Sequence, residues 1–272
     1  MFHEQVECLL STAHHGRVAL RAFRKQLPEL SEQIERDRGS EALTLWATSL
    51  NFDENAQARI TDCKLLNAIG RLARCPIRDG SAYHAGLLHT YGYLLSQVDT
   101  PYGKKHERWT SGALESGLGL PAGSLLDLGG DSSLLQNATC LFTLLAGNAQ
   151  MLADTKFVHP EILNYGSTEL DRKTIREVVE IQGGDRFELD THLIWFPVPA
   201  RRDTALLIYG VRLSGGPFRL VTGFPVSDDS MTELLAPENF GIARSIRLRY
   251  NAVVEGFPAE AFGSRELIAP ND

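Results

Sequence analysis

At 272 residues, with 43% hydrophobic and 22% charged residues, the chain has the composition of a globular protein able to bury a core without disulfides or metals. Its 27 Lys and Arg face 34 Asp and Glu, a formal charge of -7, which weighs against a nucleic-acid backbone as the main partner. No apolar run reaches the roughly 20 residues of a membrane span, the first residues lack the form of a secretory signal, and the four cysteines are scattered without a CxxC pair, so a cytoplasmic protein is expected.

Glu4 to Gln26 is predicted as one amphipathic helix carrying Val6, Leu9, Leu10, Val18, Leu20 and Phe23, with Pro28 ending it. Leu30 to Leu50 reads as a second helical stretch, interrupted at Gly39-Ser40. In Asn55 to Cys75, Ile60, Leu65, Leu66, Ile69 and Leu72 fall near helical spacing, and Pro76 stops the pattern. Ser81 is placed as the N-cap of a helix through SAYHAGLLHTYGYLLSQV. Asp99 to Pro121 holds several glycines and reads as loop with a short helical piece. Ser132 or Ser133 opens the helix LLQNATCLFTLLAGNAQML. After a turn at Val158-His159-Pro160, DRKTIREVVEIQ is predicted as a helix with Ile175, Val178 and Val179 on its apolar edge. Gly183-Gly184-Asp185 breaks it.

From there the apolar residues alternate. Phe187 to Val198, Thr204 to Leu213 and Phe218 to Val226 read as strands joined at Arg201-Arg202-Asp203 and Ser214-Gly215-Gly216-Pro217. Ser245 to Val254 reads as a further strand, with Ile246, Leu248, Tyr250 and Ala252 on one face and Arg247, Arg249 and Asn251 on the other. The fold class expected is α+β: a helical region over 1–182 packed on a four- to five-stranded antiparallel sheet over 183–260. Without a linker between them, the two regions are expected to form one unit.

Candidate chemistry comes from five places. Asp190 and His192 are two apart on a strand and share a face, so the carboxylate can orient the imidazole as a general base, and the same spacing could also seat two metal ligands. The structural alternative is an exposed pair at the start of a strand. His84 and His89 are five apart, which turns them away from one another on an α-helix and disfavours a joint metal site; one of them could line a pocket with Tyr91 or Tyr93. The segment Tyr102-Gly103-Lys104-Lys105-His106-Glu107-Arg108-Trp109 gathers cations, an imidazole and aromatics. Arg108 and Lys105 can hold an anionic group there, with His106 beside them and Tyr102 and Trp109 stacking on a flat ring. Its structural alternative is a solvated basic loop anchored by Trp109. Arg247 and Arg249 could contact a phosphate, a carboxylate or an RNA backbone, or form the wet side of the sheet.

The fifth is Leu128-Gly129-Gly130-Asp131-Ser132. This LGGDS segment resembles the attachment motif of peptidyl carrier proteins, which implies a phosphopantetheine arm on Ser132. The structural alternative is a glycine turn followed by a helix cap at Asp131 or Ser132. Walker, Rossmann, HExxH and kinase patterns are absent.

Together these features lead to the expectation of an enzyme acting on a small anionic or aromatic molecule by histidine acid–base chemistry. A hydrolase or lyase reaction needs no nucleotide cofactor, and no metal is called for. His192, Asp190 and His106 are the catalytic candidates; Tyr102, Lys105, Arg108, Trp109, Arg247 and Arg249 are the substrate contacts. Two alternatives stand beside it. One is an RNA-cleaving protein, since helices before an antiparallel sheet are similar in outline to small ribonuclease and toxin folds. The other is a binding module that uses the Tyr102–Trp109 loop as its interface.

Overall fold

A computed structural model describes residues 2–14, 17–53, 55–75, 82–100, 103–117, 120–145, 171–180, 186–197, 204–213, 216–227, 229 and 251–253. Helix α1 (Phe2–Ser11) buries Val6 and Leu9, and α2 (Leu20–Gln26) buries Phe23. The single helix expected over Glu4 to Gln26 is therefore two, with non-helical backbone at 12–14 and 17–19. Pro28 does not only end α2; it is the first residue of α3 (Pro28–Arg36), where its missing N–H costs nothing. Leu27 ends one helix and opens the next. The second helical stretch is broken as expected near Gly39-Ser40, giving the short α4 (Glu41–Thr44), but it closes as a strand, β1 (Thr48–Leu50).

Helix α5 (Cys63–Ala73) begins later than the periodicity suggested. Asp62 caps it by accepting from the Lys64 N–H at 2.7 Å, and Arg74 closes it in the left-handed region at φ 54°. Next come β2 (Ala82–His84) and α6 (Ala85–Leu87). The cap here is His84 rather than Ser81: His84 Nδ1 accepts from the Leu87 N–H at 3.2 Å while Nε2 lies 2.7 Å from the Leu43 carbonyl. The helix then widens into a π turn, Leu88–Gly92.

The glycine-rich segment holds a small hairpin, β3 (Asp99–Thr100) with β4 (Gly103–Lys104), followed by α7 (Glu107–Thr110) and α8 (Ala113–Gly117). Gly103 has φ 97°, which a side chain would resist. Helix α9 (Leu134–Leu145) is buried on every side. Its cap is a capping box: Ser133 Oγ accepts from Gln136 N–H at 3.0 Å, and Gln136 Oε1 accepts from Ser133 N–H at 3.0 Å.

Four strands pair antiparallel in the order β5-β6-β7-β8: β5 (Asp171–Glu180), β6 (Arg186–Pro197), β7 (Thr204–Leu213) and β8 (Arg219–Ser227). Asp171–Glu180 of the expected DRKTIREVVEIQ helix is thus a strand, paired with β6 from Asp171↔Trp195 to Glu180↔Arg186. Spacings of three and four do not separate helix from strand in so short a run, and Thr174, Ile175, Val178 and Val179 are β-branched, which suits a pleated surface. Pro225 is accommodated because β8 ends the four-strand order. The register shifts between Tyr209↔Thr222 and Gly210↔Leu220, so Val221 is the extra residue of a bulge that bends β8, and the Phe218 ring lies where a side chain on Gly210 would stand.

Of the expected strand Ser245 to Val254, only residues 251–253 are described. There β9 (Ala252–Val253) pairs with β1, in a separate three-stranded sheet of order β2-β1-β9. The α+β class holds, with the β region opening at Asp171.

The helical region meets the large sheet at the edge of β8. Leu220 N–H donates to the Leu45 carbonyl and Ala47 N–H to the Leu220 carbonyl, both at 2.8 Å. Helices α6 and α9 pack on β8. The indole of Trp46 donates to Thr139 Oγ1 at 2.7 Å and meets Phe142 edge-on, with centroids 6.1 Å apart. This joins Trp46, Leu135, Phe142, Leu206, Ile208 and Leu220 in one core. No helix among the described residues is long and apolar enough to cross a membrane.

Candidate functional site

Three elements converge beside this junction: the loop after β1, the π turn, and the β4–α7 segment. The loop is built first by its own polar groups. Asn51 spans it, donating to the Thr61 carbonyl at 2.7 Å and accepting from Thr61 N–H at 3.1 Å. Asp53 Oδ1 accepts from the N–H groups of Asn55 and Ala56 at 3.0 and 2.8 Å, an Asx-type turn that orients the carboxylate. Asn251, left-handed at φ 59°, donates to the Phe52 carbonyl at 2.6 Å and ties the β9 end of the chain to the same loop.

The hairpin β3–β4 delivers the cations. Lys105 N–H donates to the Val98 carbonyl at 3.3 Å, and Glu107 Oε2 accepts from Lys104 N–H at 3.0 Å, which orders the start of α7. Lys105 Nζ then lies 2.6 Å from Asp53 Oδ2. Burial alone would raise the Asp53 carboxyl. The Lys105 hydrogen bond, the Ala56 and Asn55 N–H groups and the lysine charge outweigh it and hold the carboxyl below its ordinary value.

Arg108 is held differently. Its Cζ lies 4.5 Å from the Tyr93 ring centroid and 5.5 Å from that of Phe224, and Nη1 donates to Thr222 Oγ1 at 3.3 Å. Lys105 Nζ lies 5.2 Å from the same Tyr93 ring. Arg108 is half-buried, and among the described residues it forms no salt bridge. Burial pulls its guanidinium below the ordinary value, with Tyr93 and the Asp53 charge opposing the shift.

Behind Tyr93 stands His89, four residues earlier on the π turn, with ring centroids 4.9 Å apart. The imidazole is buried; Nε2 lies 3.2 Å from Ser49 Oγ, and Nδ1 has no partner among the described residues. Burial, then the charges of Arg108 and Lys105, push it well below its ordinary value, so it is neutral near pH 7. Trp109 donates from Nε1 to the His89 carbonyl at 3.0 Å.

Of the expected contacts, Lys105 and Arg108 come together. Trp109 is 1% exposed and anchors the segment, so it offers no stacking surface. His106 stands at the start of α7, half-exposed, where its carbonyl accepts from Trp109 N–H at 3.1 Å. Asp190 pairs with Arg176 and Arg212, and His192 with Thr174 and Gly210, in the backbone register of β6; their side chains lie outside the described residues, as do Tyr102, Arg247 and Arg249. Asp53, Ser49, Thr222 and Phe224 were not singled out from sequence. The one local signal for Asp53 is its place among the polar residues Asn51, Glu54 and Asn55.

The LGGDS segment is a capping loop. Gln33 donates to the carbonyls of Leu126 and Asp127 at 2.9 and 3.1 Å, and Arg36 donates to those of Gly130 and Ser132. Ser133, one residue beyond the motif serine, caps α9 and also donates to Asp37. Tyr91 donates to the same buried carboxylate at 2.6 Å. Burial, partly offset by the Ser133 and Tyr91 hydrogen bonds and the Arg36 charge, raises Asp37 from 3.8 to about 7.

Among the described residues no group of three or more His, Cys, Asp or Glu could hold a metal ion. Comparison of the chain with protein-family models, curated proteins and solved structures found no match.

Proposed function

We propose that the chain is an enzyme that holds a small anionic molecule at Lys105 and Arg108 and transforms it by histidine acid–base chemistry, of hydrolase or lyase type and without a nucleotide cofactor. The supporting observation is Arg108: a half-buried guanidinium between two aromatic rings, with no carboxylate paired to it among the described residues. A half-buried charge with no carboxylate paired to it is costly even with hydrogen-bond and ring contacts, and a substrate anion would relieve that cost. His89, neutral and one ring away from the cations, has the protonation state of a base. His192, with Asp190 beside it in β6, is the other proposed acid–base. Tyr102, Arg247 and Arg249 enter as further proposed contacts, and the cytoplasm as the proposed site of action.

The test is substrate depletion from a cytoplasmic metabolite extract by the purified protein, followed by the same assay on Arg108→Lys, His89→Asn and His192→Ala. Consumption of an anionic compound that weakens in Arg108→Lys and stops in one histidine variant is expected. Full turnover in both histidine variants would refute the acid–base chemistry.

A further inference from the structure

We infer that the ligand of this site is a monoanionic carboxylate whose oxygens pair edge-on with Arg108, an inference that rests on the anion binding proposed above. The charge of the cluster sets the valence. Lys105 and Arg108 are the cations facing Tyr93, and Asp53 is the carboxylate that answers them, 2.6 Å from Lys105 Nζ. His89, held among Ser49, Tyr93 and Trp109, contributes no charge while its ring is neutral. Among the described residues of the cluster one positive charge is left over, that of Arg108.

Geometry sets the shape. A guanidinium is planar, with its N–H donors in the plane. Tyr93 and Phe224 lie against the Arg108 group at 4.5 and 5.5 Å, and Thr222 takes a hydrogen bond from Nη1. Thr222 and a side-chain hydrogen bond to Tyr93 take part of the donor set, and we place the ligand on the remaining N–H groups of the fork, where a flat carboxylate can accept two parallel hydrogen bonds. A dianion such as sulfate brings one charge too many. Neutralising it would need a proton on His89, which Arg108 and Lys105 oppose.

The experiment is isothermal titration of the full chain at neutral pH and low chloride with sodium benzoate, sodium acetate and sodium sulfate, in two buffers of different ionisation enthalpy. Benzoate and acetate are expected to bind without proton uptake, and sulfate about tenfold or more weakly. Arg108→Lys keeps the charge and loses the fork, so its carboxylate affinity should fall about tenfold, the loss of one charge-assisted hydrogen bond. Circular dichroism on that variant separates lost binding from lost folding. In wild-type protein the side-chain N–H resonances of Arg108 should shift on adding benzoate, a readout that needs no variant. Sulfate binding as tight as benzoate, or an Arg108→Lys protein that binds benzoate at full strength, overturns the carboxylate assignment and leaves anion binding standing. No binding of any of the three anions overturns both.

Discussion

Lys105 and Asp53 form an ion pair at 2.6 Å whose carboxylate side chain is only 6% exposed, although both residues sit on connecting segments. Such pairs are uncommon on loops because desolvating two charges is costly. Here the cost is met by geometry: the Asx turn satisfies the other Asp53 oxygen, and the hairpin fixes the lysine backbone. The pair positions the segment that carries Arg108.

Lys105→Met should therefore destabilise the fold by about 2–3 kcal/mol, less than a fully buried pair because the lysine keeps some solvent contact. Asp53 titrates below its ordinary 3.8 in the fold, so its contribution is complete above that value and is lost as pH falls through the lower folded value. Urea denaturation at neutral pH should show the full gap between wild type and variant. At pH below the folded value the gap should narrow; an unchanged gap would point to packing rather than charge.

Asp37 behaves in the opposite sense. Its carboxyl is raised to about 7 in the fold against 3.8 as the ordinary value. The folded state binds the proton more tightly, so its stabilising effect is complete below the ordinary value and is lost as pH rises toward 7. The shift corresponds to at most about 4 kcal/mol. Asp37→Asn should flatten this part of the stability–pH curve and leave a protein more stable than wild type above neutral pH. Equal slopes for the two proteins between acid and neutral pH would remove Asp37 as the cause.

Ser133→Ala removes the cap of α9 and one partner of Asp37, and should cost about 1–2 kcal/mol in chemical denaturation. Ser132→Ala should change stability by less than about 0.5 kcal/mol. A purified chain carrying a phosphopantetheine mass on Ser132 would instead restore the carrier motif, so intact-mass measurement belongs with the denaturation series.

Gly86→Ala tests the junction of helices and sheet. A Cβ at Gly86 would stand 2.8 Å from Leu135 Cδ1 and 2.8 Å from Trp46 Cγ. Overpacking of this kind costs about 1–3 kcal/mol. The melting temperature should drop accordingly, and near-ultraviolet circular dichroism should report a displaced Trp46. A neutral result would mean that the Trp46–Leu135 contact is slack.

The elements visible in the sequence were those whose pattern is strong and local. Thr204–Leu213 alternates cleanly, and its predicted bounds match β7. The buried α9 was visible from its serine cap and largely apolar sequence. Elsewhere the same signals misled. Val178 and Val179 sit at spacings compatible with either element, and pairing with β6 made that segment a strand. Ser81 looked like a cap, yet pairing of Ala82–His84 with β1 delayed the helix and gave the cap to His84. The cation-rich loop and the His89–Tyr93 pair could each be recognised alone. Their meeting could not, because nothing in either segment states which aromatic ring Arg108 will face.

By itself the sequence determined the α+β class, the strands β6, β7 and β8, the capped helix α9 and the cation content of the Lys105–Arg108 segment. Each follows from residues within one or two turns of each other, where period, capping and composition act directly. Only the tertiary structure decided that Asp53 answers Lys105, that Trp109 is an anchor, that His89 lies neutral behind Tyr93, and that Thr222 and Phe224 of β8 complete the surroundings of Arg108. Those relations depend on burial and on contacts between distant segments, and both arise from packing the helices against the edge of β8.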